Sequence, residues 1–266
     1  MRKLLRKPAL LFVGLLLGLM GVPAFAKKIP CLAFFNKLDQ FDARFAEMGI
    51  AMEGGKTHIC AVVSMVHALK AFAQKMKKPL PAKTDPFAHV EHIVKELYPA
   101  KVAGQGDPER IFKVGLRASE QVTLIENYFR ENGFNVEATI GFWDPYEMGP
   151  DDPTVYVVRY IAWDEKDVAS VKCPFREQTW FKVDEAKAKG THSMFLGAFD
   201  PKTLEMTLVN AGTGEKMVRN ARGKRVGLLQ ERGVFPAYEL QVKSTGPRYF
   251  VDSMIRIRAR GCAICD

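Results

Sequence analysis

The sequence predicts an α+β fold, with helices first and a mostly antiparallel sheet after them. Two observations lead to this. Between residues 57 and 133 apolar residues recur at helical spacing, and after residue 134 they come in short runs rich in β-branched and aromatic residues. A third is the stretch from Asp200 to Thr203, which suits a hairpin turn between two such runs.

The chain opens MRKLLRKPALLFVGLLLGLMGVPAFA. Arg2, Lys3, Arg6 and Lys7 precede an apolar run from Pro8 to Val22, and Ala24-Phe25-Ala26 is a small-x-small cleavage pattern. Residues 1–26 therefore read as a signal peptide, which points to a periplasmic or secreted bacterial protein. The run is short and broken by glycines, whereas a full span needs about 20 apolar residues. No stable membrane span is expected after cleavage. Loss of the four basic residues lowers the formal charge from +9 to +5. That modest excess does not point to nucleic acid. Residues 27–266 are long enough for one sizeable core and are expected to form one domain.

Export changes how Cys31, Cys60, Cys173, Cys262 and Cys265 are read. An oxidising compartment permits disulfides, and an odd count leaves one thiol over. If Cys60 is that thiol, the other four are expected to form disulfide bonds, in a pairing the sequence leaves open. Scattered histidines and a single close cysteine pair give no zinc pattern. No metal or cofactor is expected.

Residues 31–48 alternate apolar and charged residues at roughly helical spacing and suggest an N-terminal helix. The segment from Thr57 to about Lys77 is the strongest helix signal, with Val62, Met65, Val66, Leu69, Phe72, Ala73 and Met76 in one stripe. DPFAHVEHIVKELYP opens with Asp85 as cap and Pro86 in the first turn. SEQVTLIENYFRENG reads as a helix capped by Ser119 and ended at Gly133. Strands are expected at FNVEATI, TVYVVRYIAW, QTWFKV, THSMFLGAF, LEMTLVN and RYFVDSMIRIRA. GKRVGLLQERG reads as a surface excursion. The aromatics and prolines of the loop at 141–153 suit control of access to a site, and suit a plain surface loop equally. Trp143, Tyr146, Trp163 and Trp180 are aromatic candidates for lining a cleft, with core packing expected for at least two of them.

The chemistry centres on Cys60, at the junction of loop GGKTHI and the strongest helix. A helix N-terminus presents unpaired N–H groups and a positive dipole end, which lower a thiol's pKa. With Thr57 as N-cap, Cys60 falls at the third helical position. Among five histidines, His192 opens a strand, and Asn210 ends the strand expected to pair with it. A hairpin at Asp200 brings those outer ends together. An amide oxygen can hold an imidazole so that its other nitrogen faces a thiolate, which gives a Cys60–His192–Asn210 set of nucleophile, base and orienter.

THICAVVSMVHAL and THSMFLGAFDPKTLEMTLVNAG resemble the cysteine and histidine signatures of the papain-like cysteine peptidase superfamily, in particular its C39-like bacterial domains. The similarity covers about residues 50–215. It implies a papain-like fold with a central nucleophile helix packed on the sheet, and residues 216–266 as a C-terminal extension. It also implies a cysteine hydrolase that cleaves an amide bond in a peptide or peptide-like substrate through a thioester. A catalytically inactive module that binds a peptide or glycan in the same cleft is the alternative. Transglutaminase-like and amidase-like folds share the order of parts. The family's oxyanion-hole glutamine lies about six residues before its cysteine, where this chain has Gly54, and Ala61 replaces the usual following glycine. The Cys60 N–H can supply one donor, and Lys56, Thr57 and His58 are the candidates for the second or for lining the cleft.

Overall fold

The computed structural model describes residues 28–36, 38–50, 57–104, 107, 109–142, 145, 153–172, 179–210, 218–231, 233–241 and 246–260. Its centre is a helix, α2 (Cys60–Lys75), of whose sixteen residues twelve, from Ala61 to Ala73, are buried. A helix that is apolar nearly all round has no face to give to water, so it must be covered on every side. Burying Met65, Leu69 and Phe72 contributes about 1.5–3 kcal/mol each. Short α1 (Ala43–Glu47) precedes α2 in the chain. Helices α3 (Pro86–His92), α4 (Arg110–Val114) and α5 (Ala118–Glu131) follow it. Asp85 caps α3 as expected, accepting from the Phe87 N–H at 3.0 Å. Past His92 the chain continues as wider π-type turns over Ile93–Leu97 and Pro99–Ala103.

The expected helix over residues 31–48 is mostly absent, because its first half has better partners than itself. His67, Lys70 and Gln74 share one face of α2, and each meets this extended segment. The Phe35 N–H donates to His67 Nδ1 at 3.2 Å, the Ala33 N–H to Gln74 Oε1 at 3.2 Å, and Lys70 Nζ to the Phe34 carbonyl at 3.0 Å. On its other side the Leu32 N–H donates to the Gly197 carbonyl at 2.8 Å, and Ile29 bridges to Phe199. The segment is thus a strap between α2 and the sheet. Only Ala43–Glu47 coils, capped by Asp42.

Nine strands form the sheet: β1 (Val136–Gly141), β2 (Thr154–Trp163), β3 (Ala169–Lys172), β4 (Thr179–Lys182), β5 (Gly190–Asp200), β6 (Glu205–Asn210), β7 (Val218–Gln230), β8 (Gly233–Gln241) and β9 (Arg248–Ala259). β2, β5, β6, β7, β8 and β9 pair antiparallel in that order, and β9 returns to β2, so the pairings close into a six-stranded ring. β1 adds to β9, and β4 joins β7 in the one parallel pairing among the described residues. The architecture is mixed α+β, with helices packed on a mostly antiparallel sheet. GKRVGLLQERG is not a surface excursion, because it runs within β7 and the turn to β8. Its glycines obscure the strand pattern but are required by packing. A Cβ on Gly227 would sit 2.9 Å from both the Trp180 and Val234 side chains. Residues 218–259 supply three strands of the ring.

The main core joins α2, α3 and α5 to β1, β2, β5 and β9. A second cluster holds Trp163, Val168, Phe181, Val226, Leu228 and Phe250. Trp163 therefore lines no cleft. It is fully buried, and its indole N–H donates to the Asp184 carbonyl at 2.8 Å. Trp143 and Tyr146, with most of loop 141–153, lie outside the described residues. Among the described residues no helix is long and apolar enough to cross a membrane.

A histidine clamp ties α3 to α5. The two ring nitrogens of His92 lie 2.8 Å from Glu131 and 3.0 Å from Glu96. The bond to Glu131 raises its pKa most, against some desolvation and with help from Glu96. The clamp's stabilisation is therefore fully present below the unfolded value near 6.5 and is lost as pH rises through the higher folded value. Buried His67, driven by desolvation down to about 3, and His89, also lowered by desolvation, act in the opposite sense. Urea unfolding at pH 5.5 and 8.5 should show the stability difference between wild type and His92→Gln shrinking at the higher pH. An equal difference at both pH values contradicts the clamp.

Candidate active site

Helix α2 begins at Cys60, with Ile59 as N-cap and no side chain capping it. Thr57 is not the cap. It is buried, and its hydroxyl donates to the Gln40 carbonyl at 2.9 Å, which draws the residue into the interior ahead of the first turn. Cys60 is accordingly the first helical residue rather than the third. Its own N–H is one of the helix's orphan donors, and the positive end of the dipole lies at its thiol.

Strand β5 meets that first turn through Ser193. The Ser193 carbonyl accepts from the Ser64 hydroxyl at 3.1 Å, and its N–H donates to the Cys60 sulfur. Cys60 and Ser64 are one helical turn apart, so a single peptide residue of β5 holds two successive turns of α2. The next side chain along the strand, His192, reaches the same sulfur and hydrogen-bonds to it. Burial pushes the Cys60 thiol up, but the His192 hydrogen bond and charge, with the Ser193 and Ala61 N–H groups, outweigh it and leave the pKa lowered. The contact therefore makes the half-buried Cys60 thiol more acidic than a free one.

Tyr160 stands directly opposite His192 in the β2–β5 register. The two ring centroids are 5.3 Å apart, and Tyr160 is braced edge-on by Tyr249 at 5.4 Å. The imidazole thus has one aromatic wall. A register shift between Arg159 and Tyr160 interrupts the β2–β9 ladder there, as bulges often do beside functional groups. Backbone pairing sets Asn210 opposite Met194, two residues along from His192. The Asn210 side chain lies outside the described residues.

A cleft of about 350 Å³ opens at Cys60. Its walls are the start of α2, Thr191 and Ser193 of β5, Arg159 of β2, and the α4–α5 turn with Gln121 behind it. Gly115 makes that turn possible. Its φ is +71°, and an added Cβ would stand 3.0 Å from the His58 carbonyl oxygen. His58 is exposed and lines the cleft. Lys56 lies outside the described residues.

Several lining residues were not legible as such in the sequence. Gln121 is buried, and its Nε2 donates to the Leu116 carbonyl at 3.2 Å, which leaves the amide one more N–H. Its signal was a polar residue on the stripe shared with Leu124, Ile125 and Tyr128. Arg159 was signalled by a lone charge inside TVYVVRYIAW. Arg110 and Arg117 carried no signal, because only folding brings α4 and α5 to Cys60.

The expected disulfide framework needs correction. Cys31 is an exposed free thiol and Cys60 is free, and among the described residues no cysteine pair lies at disulfide distance. Cys31 sits on the strap, away from Cys60. Cys173, Cys262 and Cys265 lie outside the described residues. Among the described residues no group of three or more His, Cys, Asp or Glu is placed to hold a metal ion.

No protein-family model matches the chain, and no curated protein sequence matches it.

If Ser64 holds α2 against β5, Ser64→Ala should cost about 1–3 kcal/mol in urea unfolding, because it leaves the buried Ser193 carbonyl without its donor. A change within about 0.5 kcal/mol, the usual range for an uninvolved surface position, contradicts that role.

Proposed function

We propose that this chain is an exported cysteine hydrolase that cleaves an amide bond in a peptide or peptide-like substrate. The observation that carries the reading is the contact between Cys60 and His192: a free, partly accessible thiol at a helix N-terminus, held by an imidazole and opening on a cleft. The arrangement resembles that of papain-like enzymes, with residues 1–26 as the export signal.

In this mechanism the Cys60 thiolate attacks the carbonyl carbon and a tetrahedral oxyanion forms. The Cys60 N–H faces that oxyanion from the end of α2, and Gln121 is the candidate second donor in place of the glutamine that position 54 lacks. His192 gives its proton to the departing amine nitrogen as the C–N bond breaks, which leaves a thioester on Cys60. The neutral imidazole then takes a proton from water, which attacks the thioester. Collapse releases the carboxylic acid and restores the thiolate–imidazolium pair. Tyr160 limits the tilt of the ring, and Asn210 is proposed as the orienter of its second nitrogen.

Hydrolysis of a mixed library of peptides and peptide amides, followed by mass spectrometry, tests the reading. Wild type should cleave a subset, Cys60→Ala should abolish cleavage, and His192→Ala should slow it by about 10²–10⁴. Acyl-enzyme mass should appear on Cys60 when a good substrate is quenched in acid. Cleavage that survives Cys60→Ala overturns the proposal. A binding module is the outcome if ligands protect Cys60 but none is cleaved, a result that Gly54 in the glutamine position would explain.

A further inference from the structure

We infer that the Cys60 cleft selects a peptide carrying a carboxylate close to the attacked carbonyl, and that Arg117 binds that carboxylate. The inference rests on the reading of Cys60 as nucleophile. Three arginines, Arg110, Arg117 and Arg159, line the cleft, and no Asp or Glu does so among the described residues. Two of the three are already engaged. Arg110 pairs with Glu120, and Arg159 pairs with Asp252 through two nitrogens. These pairs fix the cleft walls and have little to offer a ligand.

Arg117 differs. It is exposed, and among the described residues no carboxylate lies within ion-pair distance of its guanidinium. The nearest acidic group by sequence, Glu120, is spent on Arg110 and on the Arg117 backbone N–H, which donates to it at 2.7 Å. Arg117 also occupies the N-cap of the fourteen-residue helix α5. A carboxylate beside it meets a rigid fork of donors and the positive end of that helix together.

A peptide fits these walls better than an acidic glycan. The reacting partner of a thiolate here is an acyl carbon, which a glycan backbone lacks. Val114, Leu116 and Ala118 line the same cleft and add apolar surface, which suits the methylenes of a glutamate side chain.

Site-resolved alkylation of the native full-length chain with iodoacetate and iodoacetamide tests the inference, with exposed Cys31 as internal reference. The rate ratio of the anionic to the neutral reagent should be about tenfold higher at Cys60 than at Cys31, as expected of a charge-lined cleft. His192 contributes to that ratio, so the decisive figure is its change on Arg117→Gln, which should lower it about threefold or more while Arg117→Lys retains most of it. In the wild type, polyglutamate should slow iodoacetamide at Cys60, and polylysine should not. A ratio unchanged by Arg117→Gln overturns the inference and leaves the nucleophile reading standing. Cys60 inert to both reagents while Cys31 reacts overturns the nucleophile reading, and the inference with it. Protection by polygalacturonate but not polyglutamate overturns the peptide assignment.

Discussion

The backbone of Ser193 is a point where the buried helix α2 is fastened to the sheet. Its carbonyl accepts from the Ser64 hydroxyl and its N–H donates to the Cys60 sulfur, so strand β5 grips α2 across a full turn. Everything at the candidate site depends on that register. A helix displaced by one residue would rotate Cys60 by about 100° and carry it away from His192. The buried helix leaves little room for such a shift, because its apolar surface is enclosed by the strap, by α3 and α5, and by the sheet. Packing sets the position of the helix, and the Ser193 contacts select its rotation.

Electrostatics then follow from position. Burial opposes a charged sulfur, yet the sulfur receives a ring N–H from His192 and backbone N–H groups from Ser193 and Ala61. The same end of α2 faces a cleft whose walls carry guanidinium groups locked by Glu120 and Asp252. Both pairs are half-buried, Arg159–Asp252 joined through two nitrogens and Arg110–Glu120 through one, which makes them more useful as geometry than as stability. Arg117, exposed and without a carboxylate at ion-pair distance among the described residues, lines the same cleft.

How far the sequence could foretell this depended on whether a signal was local. The apolar stripe of α2, the β-branched run of β2 and the turn at Asp200 are local, and each fell where expected. Cys60 and His192 are 132 positions apart, yet they were legible as a pair because each stands at the start of a well-patterned element. The strap was misread because its alternation of apolar and charged residues fits a helix. What keeps it extended is a row of polar side chains on α2, which the strap's own sequence does not contain. β7 was misread because glycines needed for close approach to Trp180 and Val234 weaken the strand pattern. Thr57 looked like a cap, but its hydroxyl is claimed by Gln40, seventeen residues earlier. The arginines of the cleft lie on three elements that converge only in the folded chain.

The central claim is that contact with His192 lowers the Cys60 pKa despite burial. The pH dependence of iodoacetamide alkylation at Cys60, followed peptide by peptide in the native protein, measures this directly. The account predicts a reaction midpoint below the free-cysteine value of about 8.5, moving upward in His192→Gln while the Cys31 profile stays where it is. A Cys60 midpoint at or above the free value in the wild type, or one that His192→Gln leaves unmoved, contradicts it.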